Sequence, residues 1–90
     1  MIYVRVPAPL RSLTGGKSEI LVEGSTIEEL LQHLEDQYKG IQERLVDEKG
    51  QIRPFVNLYI NQEDIRFRGG MNAALKDGDQ VSIVPAVAGG

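Results

Sequence analysis

The residues of this chain whose type and position most directly suggest chemistry are Gly89 and Gly90, at the end of the sequence. Gly-Gly occurs three times, at Gly15-Gly16, Gly69-Gly70 and Gly89-Gly90. The first two fall where the chain must turn, which is reason enough for them. The third follows the last expected strand and closes nothing. At this chain's own glycine frequency, two glycines in the last two positions arise by accident in about 1% of cases. Extended, Ala86-Val87-Ala88-Gly89-Gly90 reaches roughly 17 Å, enough to enter a partner's cleft. Without a Cβ at Gly89 and Gly90, the backbone can pass a narrow channel to a nucleotide or metal. Gly90 then presents a bare carboxylate. Such a group resists nucleophiles until one oxygen becomes a leaving group, and adenylation by ATP on a partner enzyme is a general solution. The expected reacting group is therefore the chain end, used in another protein's active site. The bland alternative is an unused tail.

Composition removes most competing chemistries. The chain has no cysteine and one histidine. That excludes disulfide staples, thiolate nucleophiles, CxxC zinc sites, cysteine-held iron–sulfur clusters and two-histidine zinc motifs. With 90 residues and a net charge of -3, and a pI near 5.0, it is one small acidic domain without the basic footprint that nucleic acid requires. The start, MIYVRVPAPL, alternates polar and apolar residues and has no continuous apolar signal core. The expectation is a cytoplasmic protein, with neither nucleic acid nor membrane as partner.

Other candidate residues carry less. His33 falls roughly 120° from the centre of the helical apolar face, which places it on the surface with no nucleophile to serve. Asp64, Asp77 and Asp79 lack EF-hand spacing, and an Asp-Gly-Asp turn accounts for two of them, so no metal site is expected. Arg53, Arg66 and Arg68 form a small basic group, either solvated surface or a receiver for an acidic partner loop. Phe55, Tyr59 and Val84 are expected on the outer face of the sheet as an apolar patch near the tail. Arginine and lysine stems covering that patch are the alternative.

The elements that position these residues can be read from periodicity. Ile2, Val4 and Val6 alternate with Tyr3 and Arg5, and Ile20 and Val22 continue the inward alternation after a loop from Pro7 to Gly16. These segments predict an antiparallel hairpin. Ser25 is the expected helix cap, its hydroxyl exchanging hydrogen bonds with Glu28. Ile27, Leu30, Leu31, Leu34 and Tyr38 follow one helical face, and Gly40 ends it. Residues 41–54 read as a connection anchored by Leu45 and Val46. Residues 55–60 (FVNLYI) form the strongest strand pattern, and an Asn61-to-Asp64 turn leads to a short strand over Ile65 to Phe67. A closing strand runs from Gln80 to Pro85 with Val81 and Ile83 inward. The order predicts an α+β roll, a mixed sheet packed on one main helix.

Four segments, LRSLTGG (10–16), STIEELLQHLEDQY (25–38), FVNLYINQEDIRFRGG (55–70) and DGDQVSIVPAVAGG (77–90), resemble the ubiquitin-like, β-grasp sulfur carrier family that contains the thiamin and molybdopterin sulfur carriers. The long 39–54 connection and the IRFRGG segment resemble its cysteine-biosynthesis branch. The resemblance implies a β-grasp domain of four to five strands over residues 1–85 and a flexible Gly-Gly tail over 86–90. It also implies a cycle. An E1-like adenylyltransferase/sulfurtransferase consumes ATP to activate Gly90, and a sulfur donor converts it to a thiocarboxylate. A pyridoxal-phosphate-dependent cysteine synthase uses that sulfur, and a zinc metalloprotease restores Gly90. The carrier itself binds no cofactor and is a co-substrate, not an enzyme. Alternative readings are the small subunit of molybdopterin synthase, serving its large subunit, and a ubiquitin-like modifier of protein lysines. The absence of cysteine suits a carrier, since no internal thiol can attack the activated end.

Overall fold

The computed structural model describes residues 1–85; the tail residues Ala86, Val87, Ala88, Gly89 and Gly90, and every expectation placed on them, lie outside the described residues. Five strands form one sheet: β1 (Ile2–Arg5), β2 (Glu19–Val22), β3 (Val56–Ile60), β4 (Glu63–Asp64) and β5 (Gln80–Pro85). Their order is β2-β1-β5-β3-β4, with β1 and β5 parallel and the other neighbours antiparallel. The helix α1 (Ile27–Gln37) packs on one face, followed by the single-turn α2 (Ile41–Leu45). This is the expected mixed α+β roll.

The core follows the alternation read from the sequence. Ile2, Val4, Ile20, Val22, Val56, Leu58, Ile60, Val81 and Ile83 are buried beneath the sheet, against Ile27, Leu30, Leu31 and Leu34 of α1. Tyr38 of the predicted helical face caps α1 and packs at the margin of the core. Gly24 makes the junction between β2 and α1. A Cβ there would lie 2.8 Å from the Leu30 Cα, so only glycine lets the strand exit come this close to the helix.

Five local expectations are corrected. Thr26, not Ser25, caps α1: its Oγ1 accepts the Glu29 N–H at 3.2 Å. The returning carboxylate is that of Glu29, which accepts from the Ser25 N–H at 2.9 Å, so the hydroxyl half lies on Thr26 while the returning half stays on Ser25. The loop from Pro7 to Gly16 contains a 3-10 helix (Ala8–Thr14), which buries Leu10 and Thr14. Thr14 is tolerated there because its hydroxyl meets the carbonyls of Arg11 and Lys17. The connection holds α2, whose first turn is fixed by the Glu35 carboxylate accepting from Gly40 N–H and Gln42 N–H, each at 2.9 Å. Residues Ile65–Phe67 are a 3-10 turn, and the strand lies just before them at Glu63–Asp64. His33 is half-buried, its Nδ1 2.7 Å from the Glu23 carbonyl. A carbonyl only accepts, so Nδ1 carries the proton and the ring pins α1 to the end of β2.

Candidate functional site

The site begins where β5 leaves the sheet. Pro85, the last described residue, pairs with Val56, so the tail departs beside the start of β3. Val84 pairs with Asn57 on the outer face and Tyr59 with Ser82. Phe55, one residue before β3, is 51% exposed and Val84 41%, whereas Tyr59 is half-buried. The predicted patch therefore shares one face, but Asn57 stands between Phe55 and Tyr59 and opposite Val84. Its apolar part is concentrated at the tail end.

The same face carries a second apolar pair that the sequence reading passed over. Tyr3 and Leu21 lie directly opposite each other across β1 and β2 and are both exposed. Strand alternation alone points both outward, so the signal was present. Between the two apolar groups runs a polar row, Glu19, Arg5, Ser82, Tyr59 and Asp64, each opposite the next across successive strands.

The three arginines do not act as one group. Arg66 grips Asp64 with two nitrogens, Nη2 to Oδ2 at 2.7 Å and Nε to Oδ1 at 3.1 Å. The Arg66 side-chain bond and the Arg66 backbone N–H together hold the Asp64 carboxyl below its usual range. Arg68 pairs with Glu63 at 3.2 Å. Arg53 donates from Nε to the Glu43 carbonyl at 2.9 Å and meets no carboxylate among the described residues. Between the first two arginines, Phe67 is 79% exposed, the most exposed large apolar side chain described. Read as part of a strand, it gave no reason to expect this; the 3-10 turn aims it at solvent.

The aspartates serve the fold. Asp79 accepts from Lys76 N–H at 2.8 Å and from Asn61 Nδ2 at 2.8 Å, and these bonds, led by the first, lower its carboxyl pKa. Asp77 contacts the N-terminal amine of Met1. Among the described residues no group of three histidine, aspartate or glutamate side chains could hold a metal ion. No helix among them is long and apolar enough to cross a membrane. The described residues thus offer a tail exit framed by exposed aromatic and aliphatic side chains, an arrangement suited to presenting a chain end to another protein.

Comparison with known proteins agrees with this geometry. The sequence matches the ThiS family over residues 4–90. It is 46% identical to the sulfur carrier protein CysO of Mycobacterium tuberculosis (strain H37Rv) over 91 aligned positions, covering 99% of this chain and 98% of that protein. It is 37% identical to small archaeal modifier protein 3 of Haloferax volcanii, covering 99% of this chain and 98% of that one. The fold superposes on the crystal structure of the Amycolatopsis orientalis BexX/CysO complex with a TM-score of 0.94 and 43% identity, all of both chains being covered. The chain belongs to the ThiS family, with the ubiquitin-like β-grasp fold of the sulfur carriers it resembles.

Proposed function

We propose that this protein is a sulfur carrier whose reacting group is the Gly90 carboxylate. A carboxylate oxygen attacks the α-phosphorus of ATP on an E1-like adenylyltransferase, forming the acyl-adenylate and releasing pyrophosphate. A sulfur nucleophile then attacks the acyl carbon, AMP departs with the oxygen, and Gly90 is left as a thiocarboxylate. The protein is a co-substrate in this scheme and catalyses neither step. The observation that carries the reading is that the family match runs to residue 90, while β5 ends at Pro85, paired with Val56 next to exposed Phe55.

The acceptor we favour is the aminoacrylate of a pyridoxal-phosphate-dependent cysteine synthase, with a zinc protease releasing cysteine and restoring Gly90. The whole-length likeness to CysO supports this branch over molybdopterin synthesis. The setting is the cytoplasm, where ATP is supplied. Incubation with the cognate adenylyltransferase, ATP and sulfide, followed by intact-mass spectrometry and thioacid alkylation, is expected to show one oxygen of Gly90 replaced by sulfur. A mass that never leaves that of the plain carboxylate contradicts the carrier reading. The likeness to an archaeal modifier favours one further outcome, capture of the same acyl-adenylate by a lysine amine. Isopeptide-linked products would identify that route.

A further inference from the structure

The strand β2 ends the sheet, with β1 on one side and no described strand on the other. The Val6 N–H donates to the Ser18 carbonyl at 2.8 Å, which fixes the side to which each backbone group turns. These groups alternate along a strand, so Ser18, Ile20 and Val22 face β1, while Glu19 and Leu21 face away from it. Neither of that outward pair has a backbone partner among the described residues, and both are exposed, Leu21 at 47%. The groups to either side are engaged. The Thr14 carbonyl takes the Lys17 N–H at 3.3 Å, Thr14 Oγ1 donates to the Lys17 carbonyl at 2.9 Å, and the Glu23 carbonyl accepts from His33 at 2.7 Å. The complete open positions on this edge, with N–H and carbonyl both unpaired, are therefore Glu19 and Leu21.

An edge of this kind is a template for another strand. Two open positions separated by one residue can satisfy each other about a two-fold axis through Ile20. Glu19 of one copy then exchanges both backbone bonds with Leu21 of the other, and the reverse, so all of these groups are paired. The side chains select the same register. Centred on Glu19, the axis sets that carboxylate against its own copy; centred on Leu21, it sets Glu19 against Glu23. Centred on Ser18 or Val22, it calls on the Lys17 or Glu23 backbone, which Thr14 and His33 already hold. Centred on Ile20, it sets exposed Lys17 opposite exposed Glu23 on both sides of the axis. On the outer face the two Leu21 side chains become diagonal neighbours, each with Tyr3 behind it, so the exposed apolar pairs of the two copies join.

We propose that the β2 edge is a self-association surface, on which a second copy of this chain pairs antiparallel about Ile20 to make one ten-stranded sheet. This does not depend on the chemistry of Gly90. The strand β5 lies two strands in from the axis, so the pairing leaves the tail exit at Pro85 uncovered. Strands of four residues bury less than a standard interface, and the dissociation constant is expected at roughly 0.1–1 mM. Sedimentation of the whole chain from about 20 µM to about 2 mM should show the mean mass rising from 10.0 kDa toward twice that value. Over the same range, amide resonances should shift at Glu19 and Leu21 and hold still at Asn57 and Phe67. A monomer throughout overturns the proposal, and so does association that shifts resonances elsewhere and spares β2. Lys17→Glu and Glu23→Lys each oppose like charges across the axis and should weaken association at least about threefold, while the two together restore it to within about twofold of the parent. A double variant as weak as the single ones overturns the register. Leu21→Pro removes an outward donor and leaves every bond to β1 in place, so it should abolish association while the melt stays cooperative. A dimer that persists in that variant contradicts the backbone pairing.

Discussion

The two hairpins of this sheet are built to opposite specifications. The β1–β2 hairpin pairs over four positions, Ile2 with Val22 through Arg5 with Glu19, and its long connection buries Leu10 and Thr14. The β3–β4 hairpin pairs over two and is joined by a tight turn at Asn61 and Gln62, whose φ angles of 49° and 80° lie in the left-handed region. Beyond it the chain turns and exposes Phe67. Both hairpins feed one core, but the second has the shorter ladder and is followed by a turn that aims Phe67 at solvent. Stability and recognition are therefore expected to separate between the two ends of the sheet.

Truncation on the core side should have the largest effect. Leu30→Ala removes a fully buried side chain beside the β2 exit and is expected to cost about 2–5 kcal/mol in denaturant unfolding. Gly24→Val drives a branched side chain into the Leu30 backbone and should cost about 1–3 kcal/mol, through strain where Leu30→Ala acts through a cavity. If both changes left the unfolding midpoint unmoved, the core side would not be the stabilising half.

The turn of the second hairpin comes next. Asn61 tolerates the left-handed region and fastens the turn to β5, its Nδ2 donating to Asp79 and its Oδ1 accepting from Gln80 N–H. Asn61→Ala should cost about 1–3 kcal/mol. Gln62→Gly should instead stabilise by about 0.4–1 kcal/mol, because glycine holds that φ without strain. A loss of stability in Gln62→Gly would mean that the glutamine side chain makes a contact of its own.

Smaller still are the exposed aromatics. Phe67→Ala and Phe55→Ala should each change stability by less than about 0.5 kcal/mol. Calorimetric titration against the adenylyltransferase should nevertheless show at least about tenfold weaker binding for Phe55→Ala, which lies at the tail exit. Parent-like affinity would remove Phe55 from the partner surface.

The finest contrast is in pH dependence. Backbone N–H groups of Gly40 and then Gln42 hold the half-buried Glu35 carboxylate below its ordinary pKa. A depressed carboxyl contributes stability above its unfolded pKa and loses it as pH falls through the folded value. Glu35→Gln should therefore flatten the fall in melting temperature between about pH 5 and about pH 3. An identical acid limb in both proteins would show that the clip on α2 is without energetic weight.

How far the sequence could be read depended on the range of the interaction that decided each element. Ile27, Leu30, Leu31 and Leu34, and the alternation of Val81 and Ile83, are set by burial against the opposite layer, and a period of 3.6 or 2 records that directly. The cap was displaced because Ser25 and Thr26 both carry hydroxyls, and only packing chooses between them. Ile65–Phe67 is too short for its period to distinguish a strand from a 3-10 turn; the Asp64 carboxylate on Arg66 N–H decides it. Gly24 gave no local sign, since the constraint comes from Leu30 of the neighbouring helix. At the site, alternation placed Phe55 and Val84 outward. It could equally have offered Tyr3 and Leu21, while Phe67 depended on a turn that was read as a strand.

The central claim, that Gly90 is the reacting group, is tested most directly by pyrophosphate release with the cognate adenylyltransferase and saturating ATP. Deleting Gly90 still leaves a glycine carboxylate, now on Gly89, but withdraws the reacting carbon by about 3.5 Å. That exceeds the tolerance of a productive pose, in which reacting atoms are held within roughly 3–3.5 Å. The account predicts at least about a hundredfold slower release, binding close to the parent's, and an unchanged melting temperature. Parent-like release from the shortened chain would contradict it.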